Sequence, residues 1–245
     1  MGVSINQLKF DNANTINDQF CTIQYNDYES ITSAIRDGWK YAGDELWYKT
    51  KTSCSEMFLP FITDNCIGNN KLWVTFPNLK DAHFIYENEK DKYLREHSLF
   101  DMPNLEDIER MIIDSYPNWL IGESSILIAR EKSDGEPLAK LCVRKLVPPG
   151  VIDVGYTTMA KHRGNGVGFK LLKLFTKWAF ESADIQRIEL GIKPQNLSSI
   201  KTAMKAGYHF ESVRHSRLFN VTNSYSDEHS YVALKVASKR EWSLS

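Results

Sequence analysis

Three glycines and an arginine fall within eight residues, KHRGNGVG, at positions 161–168. The strand-like segment VIDVGYTTM precedes them, and an amphipathic segment begins at Val167. A glycine-rich turn between a strand and a helix directs several backbone N–H groups and the positive end of the helix dipole at one point. Because glycine has no Cβ, phosphate oxygens can reach those amides. The stretch therefore predicts an anion site, although glycines in such a turn also serve purely structural purposes.

Two common phosphate loops do not match this spacing. The pattern GxxxxGK[ST] is absent, and a GxGxxG fingerprint starting at Gly164 would need a glycine where Phe169 stands. The loop therefore belongs to neither the P-loop nor the dinucleotide-binding class.

The segments around the loop alternate between strand and helix patterns. The predicted strands are 71–76, 124–131, 137–147, 151–159, 187–193, 208–215 and 230–236. The predicted helices are 78–96, 104–119 with a stop at Pro117, 167–184 and 196–207. The second and third strands form a hairpin through the turn sequence SDGE. This order predicts an α/β protein with a mixed sheet and flanking helices.

The 245 residues divide by pattern into two parts, a domain at 71–245 and an aromatic-rich extension at 1–70 with one predicted helix in 28–42. The extension is too short to be more than marginally stable alone, so we expect it to dock on the domain. It is either a lid over a site or a structural segment packed on the sheet.

Composition limits the function classes. The 30 basic and 31 acidic residues argue against nucleic acid as a partner. The four cysteines form no CxxC pair, so no metal cluster is predicted. Without a signal peptide pattern or an apolar run of about 18 residues, we expect a cytoplasmic protein that does not bind membranes. The sequence leaves monomer and homodimer open.

The glycine stretch has ordered, spaced neighbours. The pattern R-x-x-G-x-G ends at Gly168, and N-x-x-S-I followed by G-Y runs from Asn196 to Tyr208. Together they resemble the GNAT N-acetyltransferase superfamily. Further matches to the branch named for the RimJ and RimL ribosomal-protein alanine N-acetyltransferases are Gly155-Tyr156, WAFE at 178–181 and Arg214. The likeness covers about residues 71–245 and implies a GNAT-type, mostly antiparallel twisted sheet.

The resemblance implies that the anion is the pyrophosphate of acetyl-CoA. The residues that it assigns to the pyrophosphate loop are Arg163, Gly164, Asn165, Gly166, Val167, Gly168 and Phe169. It places the pantetheine arm along Tyr156, Thr157 and Thr158, where the N–H of Thr158 would stabilise an oxyanion. Asn196 matches a family asparagine beside the pantetheine. A helix N-cap explains Asn196 equally well, and both roles are compatible.

Catalysis of amide formation needs a route for the proton of the attacking amine. Asp153 is the candidate base, because it stands where this branch carries a glutamate or similar acid. An aspartate is one methylene shorter, which favours a water relay. The alternative is that Asp153 only pairs with a basic neighbour such as Arg144.

The departing thiolate needs a proton donor. Many superfamily members carry a tyrosine seven residues after the asparagine, but that position is Ala203 here. Ser199 matches a serine that stands near the sulfur in the Rim-type branch, or it is simply a polar residue in the first turn of a helix.

The resemblance therefore predicts an acetyl-CoA-dependent N-acetyltransferase that acts on a primary amine without a metal. The acceptor is a protein N-terminus, a polyamine or an amino-bearing antibiotic, and the sequence does not choose among them. A non-catalytic acyl-CoA-binding protein is the alternative, favoured by the absent tyrosine.

Overall fold

A computed structural model describes residues 19–37, 39–43, 45–49, 66–69, 72–98, 101–121, 123–131, 135–183, 185–220 and 224–235. The strands in these ranges are β1 (Gln19–Thr22), β2 (Lys40–Gly43), β3 (Leu46–Lys49), β4 (Cys66–Asn69), β5 (Leu72–Thr75), β6 (Ser125–Arg130), β7 (Ala139–Lys145), β8 (Val151–Thr158), β9 (Arg187–Ile192), β10 (His209–Asn220) and β11 (Ser224–Leu234). The helices are α1 (Tyr28–Arg36), α2 (Ala82–Glu89), α3 (Lys92–His97), α4 (Leu105–Ile113), α5 (Ser115–Ile121), α6 (Val167–Ser182) and α7 (Leu197–Lys205).

Eight of the strands form the main sheet, in the order β10-β11-β9-β8-β7-β6-β5-β4. Every neighbouring pair is antiparallel except β8 and β9, which are parallel and are connected through α6. The predicted mixed, mostly antiparallel sheet with flanking helices is confirmed, as is the hairpin of β6 and β7. Residues 133 and 134 of its SDGE turn lie outside the described residues.

Two helix predictions were wrong in detail. The helix predicted over 78–96 is three pieces, a 3-10 turn at Leu79–Asp81 followed by α2 and α3. The break occurs because Asp91 has an extended backbone and accepts a hydrogen bond from the amide of Leu94, which makes it the N-cap of α3. The second error concerns Pro117, which does not stop a helix. It lies in the first turn of α5, where backbone N–H groups have no partner within the helix. The missing N–H of proline therefore costs no helical hydrogen bond there.

The closing strands are longer than predicted. Strand β10 has 12 residues and β11 has 11, and they pair along most of their length with two register shifts. The outer halves of both strands are mostly polar and lack the regular apolar alternation from which a strand is predicted.

Helices cover both faces of the sheet. The apolar stripe of α6, with Leu171 and Phe175 fully buried, packs on one face with Val154 of β8 and Leu190 of β9. Helices α2 and α4 form a smaller cluster on the other face, against β6. The half-buried Cys142 packs against this second cluster. Because β8 carries side chains into both layers, residues near its end contact both sets of helices.

The described part of the N-terminal extension forms a small sheet, β1-β3-β2, and the helix α1. Ile31, Ile35 and Trp47 are buried in the same core cluster as the helices of the main sheet, so this part of the extension docks as expected. The hydroxyl groups of Thr32 and Tyr116 are 2.9 Å apart in that interface. Strand β4 precedes the predicted boundary at residue 70, yet it pairs with β5 in the main sheet. The division of the chain at residue 70 remains a prediction.

None of the helices within the described ranges has the length and apolar character needed to cross a membrane.

Candidate active site

The glycine loop joins the end of β8 to the start of α6. Gly164 and Gly166 have φ values of +79° and +72°, in the left-handed region that favours glycine. Gly166 is the N-cap of α6 and has no side chain to cap it. The first N–H groups of a helix lack partners within the helix, so the amides at Val167, Gly168 and Phe169 stay available to a ligand. Gly164, Asn165 and Gly166 are all exposed.

Gly168 has a steric role that the spacing did not indicate. A Cβ on this residue would lie 2.7 Å from Cε2 of Tyr156 and 3.2 Å from Oγ1 of Thr158. Only glycine lets the first turn of α6 approach the end of β8 this closely. By contrast, a Cβ on Gly164 or Gly166 would have no heavy atom within 4 Å.

Strands β8 and β9 form a fork. Their parallel pairing runs from Val151–Arg187 to Asp153–Glu189 and then stops, although β8 continues to Thr158 and β9 to Ile192. Beyond the fork point, β8 is paired only with β7 and β9 only with β11. The two strands therefore separate beside the glycine loop.

The backbone of β8 directs alternate amides into this fork. The amide of Met159 donates to the carbonyl of Leu138 on the β7 side at 2.9 Å. Hydrogen-bonded and non-bonded pairs alternate in an antiparallel ladder, so the N–H groups of Tyr156 and Thr158 point away from β7. They point toward the gap that opens where β9 separates from β8. Thr157, in contrast, bonds to β7 through its backbone.

Asp153 stands at the fork point. Its Oδ2 accepts from Nε of Arg144, its cross-strand partner, at 3.0 Å. Burial raises the pKa of Asp153 above the usual range, Arg144 opposes the rise, and Glu228 and Glu189 add to it. The ion pair with Arg144 matches the structural alternative from the sequence, and the perturbed pKa at a fork is also what a base requires. A Cβ on nearby Gly155 would meet nothing within 4 Å, so there is open space next to this carboxylate.

A charged network continues from the fork across β9, β10 and β11. Glu189, the register partner of Asp153, accepts from Arg187 at 2.8 Å and also binds Arg214. Arg214 reaches Glu228 at 3.1 Å. Sequence reasoning found Arg214 only as a family match and missed the acidic partners. The glycine at 191 is the one sequence feature that could have pointed to Glu228, because a side chain at 191 would overlap the carboxylate of Glu228.

Tyr156 links β8 to α7 on the face of the sheet opposite to Asp153. Its hydroxyl lies 3.2 Å from Oγ of Ser199, in the first turn of that helix. Burial raises the pKa of Tyr156, so the phenol is protonated at neutral pH. Ala203, where the family tyrosine is missing, follows Ser199 by one helical turn and is buried. The phenol of Tyr156 thus approaches the face of α7 from which that tyrosine would project.

Asn196 is the N-cap of α7, as its alternative reading proposed. Its Oδ1 accepts from the amide of Ser199 at 3.1 Å and from the hydroxyl of Tyr93 at 3.2 Å. The ring of Tyr93 in turn lies under the guanidinium of Arg163, 4.9 Å from its centre. Arg163 also pairs with Asp91 at 2.6 Å. Helix α3 therefore connects the glycine loop to the start of α7, and no sequence pattern had indicated this contact.

The remaining loop residues divide between core and surface. Val167 is buried in the core, whereas the half-buried ring of Phe169 lies on the α7 side of α6. The ring nitrogen Nε2 of His162 is 3.0 Å from the carboxylate of Glu136. Among the described residues, no group of three His, Cys, Asp or Glu side chains is arranged to hold a metal ion.

Comparison with known proteins decides the family. The model of the acetyltransferase (GNAT) domain matches residues 71–209, more than half of the chain. The chain belongs to the GNAT acetyltransferase family. Acetyl transfer is the chemistry of that family. The predicted likeness to this family is confirmed.

A curated relative agrees with this assignment. The chain is 30% identical over 81 residues to "Probable N-acetyltransferase YjcK" of Bacillus subtilis (strain 168), a stretch that covers 33% of this chain and 44% of that protein. It thus matches less than half the length of this curated relative.

Solved structures share the fold. A GNAT-family acetyltransferase of Bacillus anthracis has a TM-score of 0.61 at 17% identity, over 69% of this chain and 98% of that one. RimJ of Mycobacterium smegmatis, solved with CoA-disulfide, has a TM-score of 0.58 at 14% identity, over 66% and 81% of the two chains. At these identities the likeness establishes the fold alone. GNAT folds bind acetyl-CoA, and this chain has that fold.

Two features of the GNAT site fit acetyl-CoA. The uncapped amides of the loop suit a diphosphate, because anions bind at helix N-termini. The outward amides of Tyr156 and Thr158 suit the amide groups of a pantetheine arm, since they can form a strand-like ladder in the fork.

Proposed function

We propose that this GNAT enzyme transfers an acetyl group from acetyl-CoA directly to a primary amine, with both substrates bound together. The observation that carries the proposal is the fork between β8 and β9, which opens beside the glycine loop. The loop holds the diphosphate through Gly164, Asn165, Gly166, Val167, Gly168 and Phe169, and the fork holds the pantetheine along Tyr156, Thr157 and Thr158. Bound acetyl-CoA supplies an activated acetyl thioester at the fork.

The backbone stabilises the charge that develops during transfer. The N–H of Thr158 points into the fork and donates to the thioester oxygen as negative charge forms on it. A single donor of this type contributes about 3 kcal/mol. Asn196, fixed at the N-cap of α7, lies beside the pantetheine on the other side of the gap.

Asp153 accepts the proton that the attacking amine loses, directly or through one water. Its carboxylate lies at the fork point with open space at Gly155, and burial raises its pKa toward the range useful for a base. Arg144 holds the carboxylate in place through the 3.0 Å contact.

Ser199 donates a proton or a hydrogen bond to the thiolate when the carbon–sulfur bond breaks. The phenol of Tyr156, 3.2 Å away, passes a proton to Ser199 and regains one from solvent, and so takes the place of the tyrosine that is missing at 203. Both hydroxyls lie on the α7 side of the fork, whereas Asp153 lies on the opposite face, so the acid and the base approach from different sides.

Substituting Ser199 with alanine should lower kcat about tenfold or more, because proton donation to a leaving group typically contributes at least that much. Binding of acetyl-CoA, measured by calorimetry, should change little, since the hydroxyl acts on the leaving sulfur. The matched control is Ser198→Ala, which removes an exposed hydroxyl from the same turn. Equal kcat for the two variants would assign Ser199 a role in packing only.

The function itself is tested by CoA release. The protein is incubated with acetyl-CoA and a panel of peptide N-termini, ribosomal proteins, polyamines and aminoglycosides, and free thiol is measured. We expect at least one primary amine to raise thiol release above the rate with water alone. Tight binding of acetyl-CoA with silence across the whole panel would contradict transfer to these amines.

A further inference from the structure

Helix α3 bridges the open end of the fork. On the β8 side, Oδ1 of its N-cap Asp91 pairs with Arg163 of the glycine loop at 2.6 Å. On the β9 side, the hydroxyl of Tyr93 donates to Oδ1 of Asn196 at 3.2 Å. The glycine loop follows β8 and Asn196 follows β9, so α3 spans the gap between the ends of the two diverging strands. A pantetheine arm that runs from the loop into the fork must pass this helix.

Polar contacts, and not core packing, hold α3 in this place. None of its six residues is buried, whereas Asn88 and Glu89 at the end of α2 are. The base of α3 is tied to that buried end, because Glu89 accepts a hydrogen bond from Arg95 at 2.8 Å. At the far end, the carbonyl of Ser98 accepts from Nζ of Lys193 at 3.1 Å. A segment with an anchored base and no buried residues is of the kind that opens locally at low cost.

Both bridging contacts use groups that the co-substrate needs. The carboxylate of Asp91 binds the guanidinium of Arg163, and a guanidinium is equally a partner for phosphate. The hydrogen bond that Arg163 donates lowers the pKa of Asp91, so this carboxylate is ionised at neutral pH and repels a diphosphate at the loop. Likewise, the hydroxyl of Tyr93 occupies an oxygen of Asn196 to which a pantetheine N–H can donate.

We propose that α3 is a strap that closes the fork in the free enzyme and is released when acetyl-CoA binds. This inference rests on the proposed function. The diphosphate replaces Asp91 at Arg163, and an amide N–H of the pantetheine replaces the hydroxyl of Tyr93 at Asn196. Each exchange trades one polar contact for another. Closure lowers the apparent affinity for acetyl-CoA, because only the open form binds it.

The variant Asp91→Asn tests the competition at Arg163. Asparagine is an equally good N-cap, so α3 keeps the hydrogen bond from the amide of Leu94 and loses only the charge. We expect calorimetric titration of the full chain to show acetyl-CoA binding about two- to fivefold more tightly, the range that a partly exposed ion pair contributes. The matched control Glu96→Gln removes the same charge from an exposed position on α3 and should leave the affinity unchanged. No gain in Asp91→Asn, or an equal gain in both variants, overturns the strap.

Hydrogen exchange of the unmodified chain, with and without saturating acetyl-CoA, tests the release itself. We expect the amides at 166–169 to exchange more slowly with the ligand. The amides of Arg95 and Ser98, which bond within α3, should exchange faster. A protected loop with unchanged or slower exchange in α3 overturns the strap and leaves the proposed function standing. Absence of acetyl-CoA binding, with no protection at the loop, overturns both.

Discussion

The variant Asp153→Asn is expected to lower kcat/KM at neutral pH by about 10²- to 10⁴-fold, the usual contribution of a positioned general base. The amide keeps the shape of the carboxylate but cannot accept a proton from the attacking amine. Steady-state CoA release with a responsive amine measures the effect. Binding of acetyl-CoA should be retained, because the carboxylate lies at the fork point and not at the loop.

The pH profile gives this prediction a second readout. The base works in its ionised form, so activity rises as pH increases through the pKa of Asp153. Burial raises that pKa, and therefore the acidic limb should lie at higher pH than for an ordinary aspartate. Removing the opposing cation with Arg144→Gln should move the limb to still higher pH, while Arg144→Lys should keep it near its original position. An acidic limb unaffected by Arg144→Gln would remove Asp153 from the proton path.

Replacing Gly168 with alanine should weaken acetyl-CoA binding about ten- to a hundredfold. The new Cβ would lie 2.7 Å from Cε2 of Tyr156, so the start of α6 or the ring must shift. Overpacking of this kind costs about 1–3 kcal/mol, and the displaced amides are those that face the diphosphate. Calorimetric titration with acetyl-CoA measures the affinity, and thermal unfolding measures the loss of stability.

A double-mutant cycle isolates the cause. In a Tyr156→Ala background the ring is gone, and Gly168→Ala should then reduce the free energy of unfolding much less than it does in the unmodified chain. If Gly168→Ala is equally harmful in both backgrounds, the close approach of Tyr156 is not the reason for the glycine.

Local patterns predicted much of the fold. The amphipathic period of α6, the glycine signals and the hairpin between β6 and β7 are properties of residues a few positions apart, and all appear in the structure. The predicted helix at 78–96 is broken because Asp91 caps a new helix there. Pro117 does not end a helix because it lies in a first turn, where backbone N–H groups have no helical partner. The outer parts of the closing hairpin escaped detection because exposed strands lack an apolar period.

The site was only partly predictable. The sequence by itself determined the uncapped, left-handed glycine turn, the helix that begins there and the N-cap at Asn196, because each depends on backbone preferences within one or two turns. Tertiary structure alone decided the fork at Asp153, the contact of Tyr156 with Ser199 across 43 positions and that of Tyr93 with Asn196 across 103. These contacts depend on strand order and register. Strand order and register are set by packing of the whole sheet, a non-local energy that no short pattern encodes.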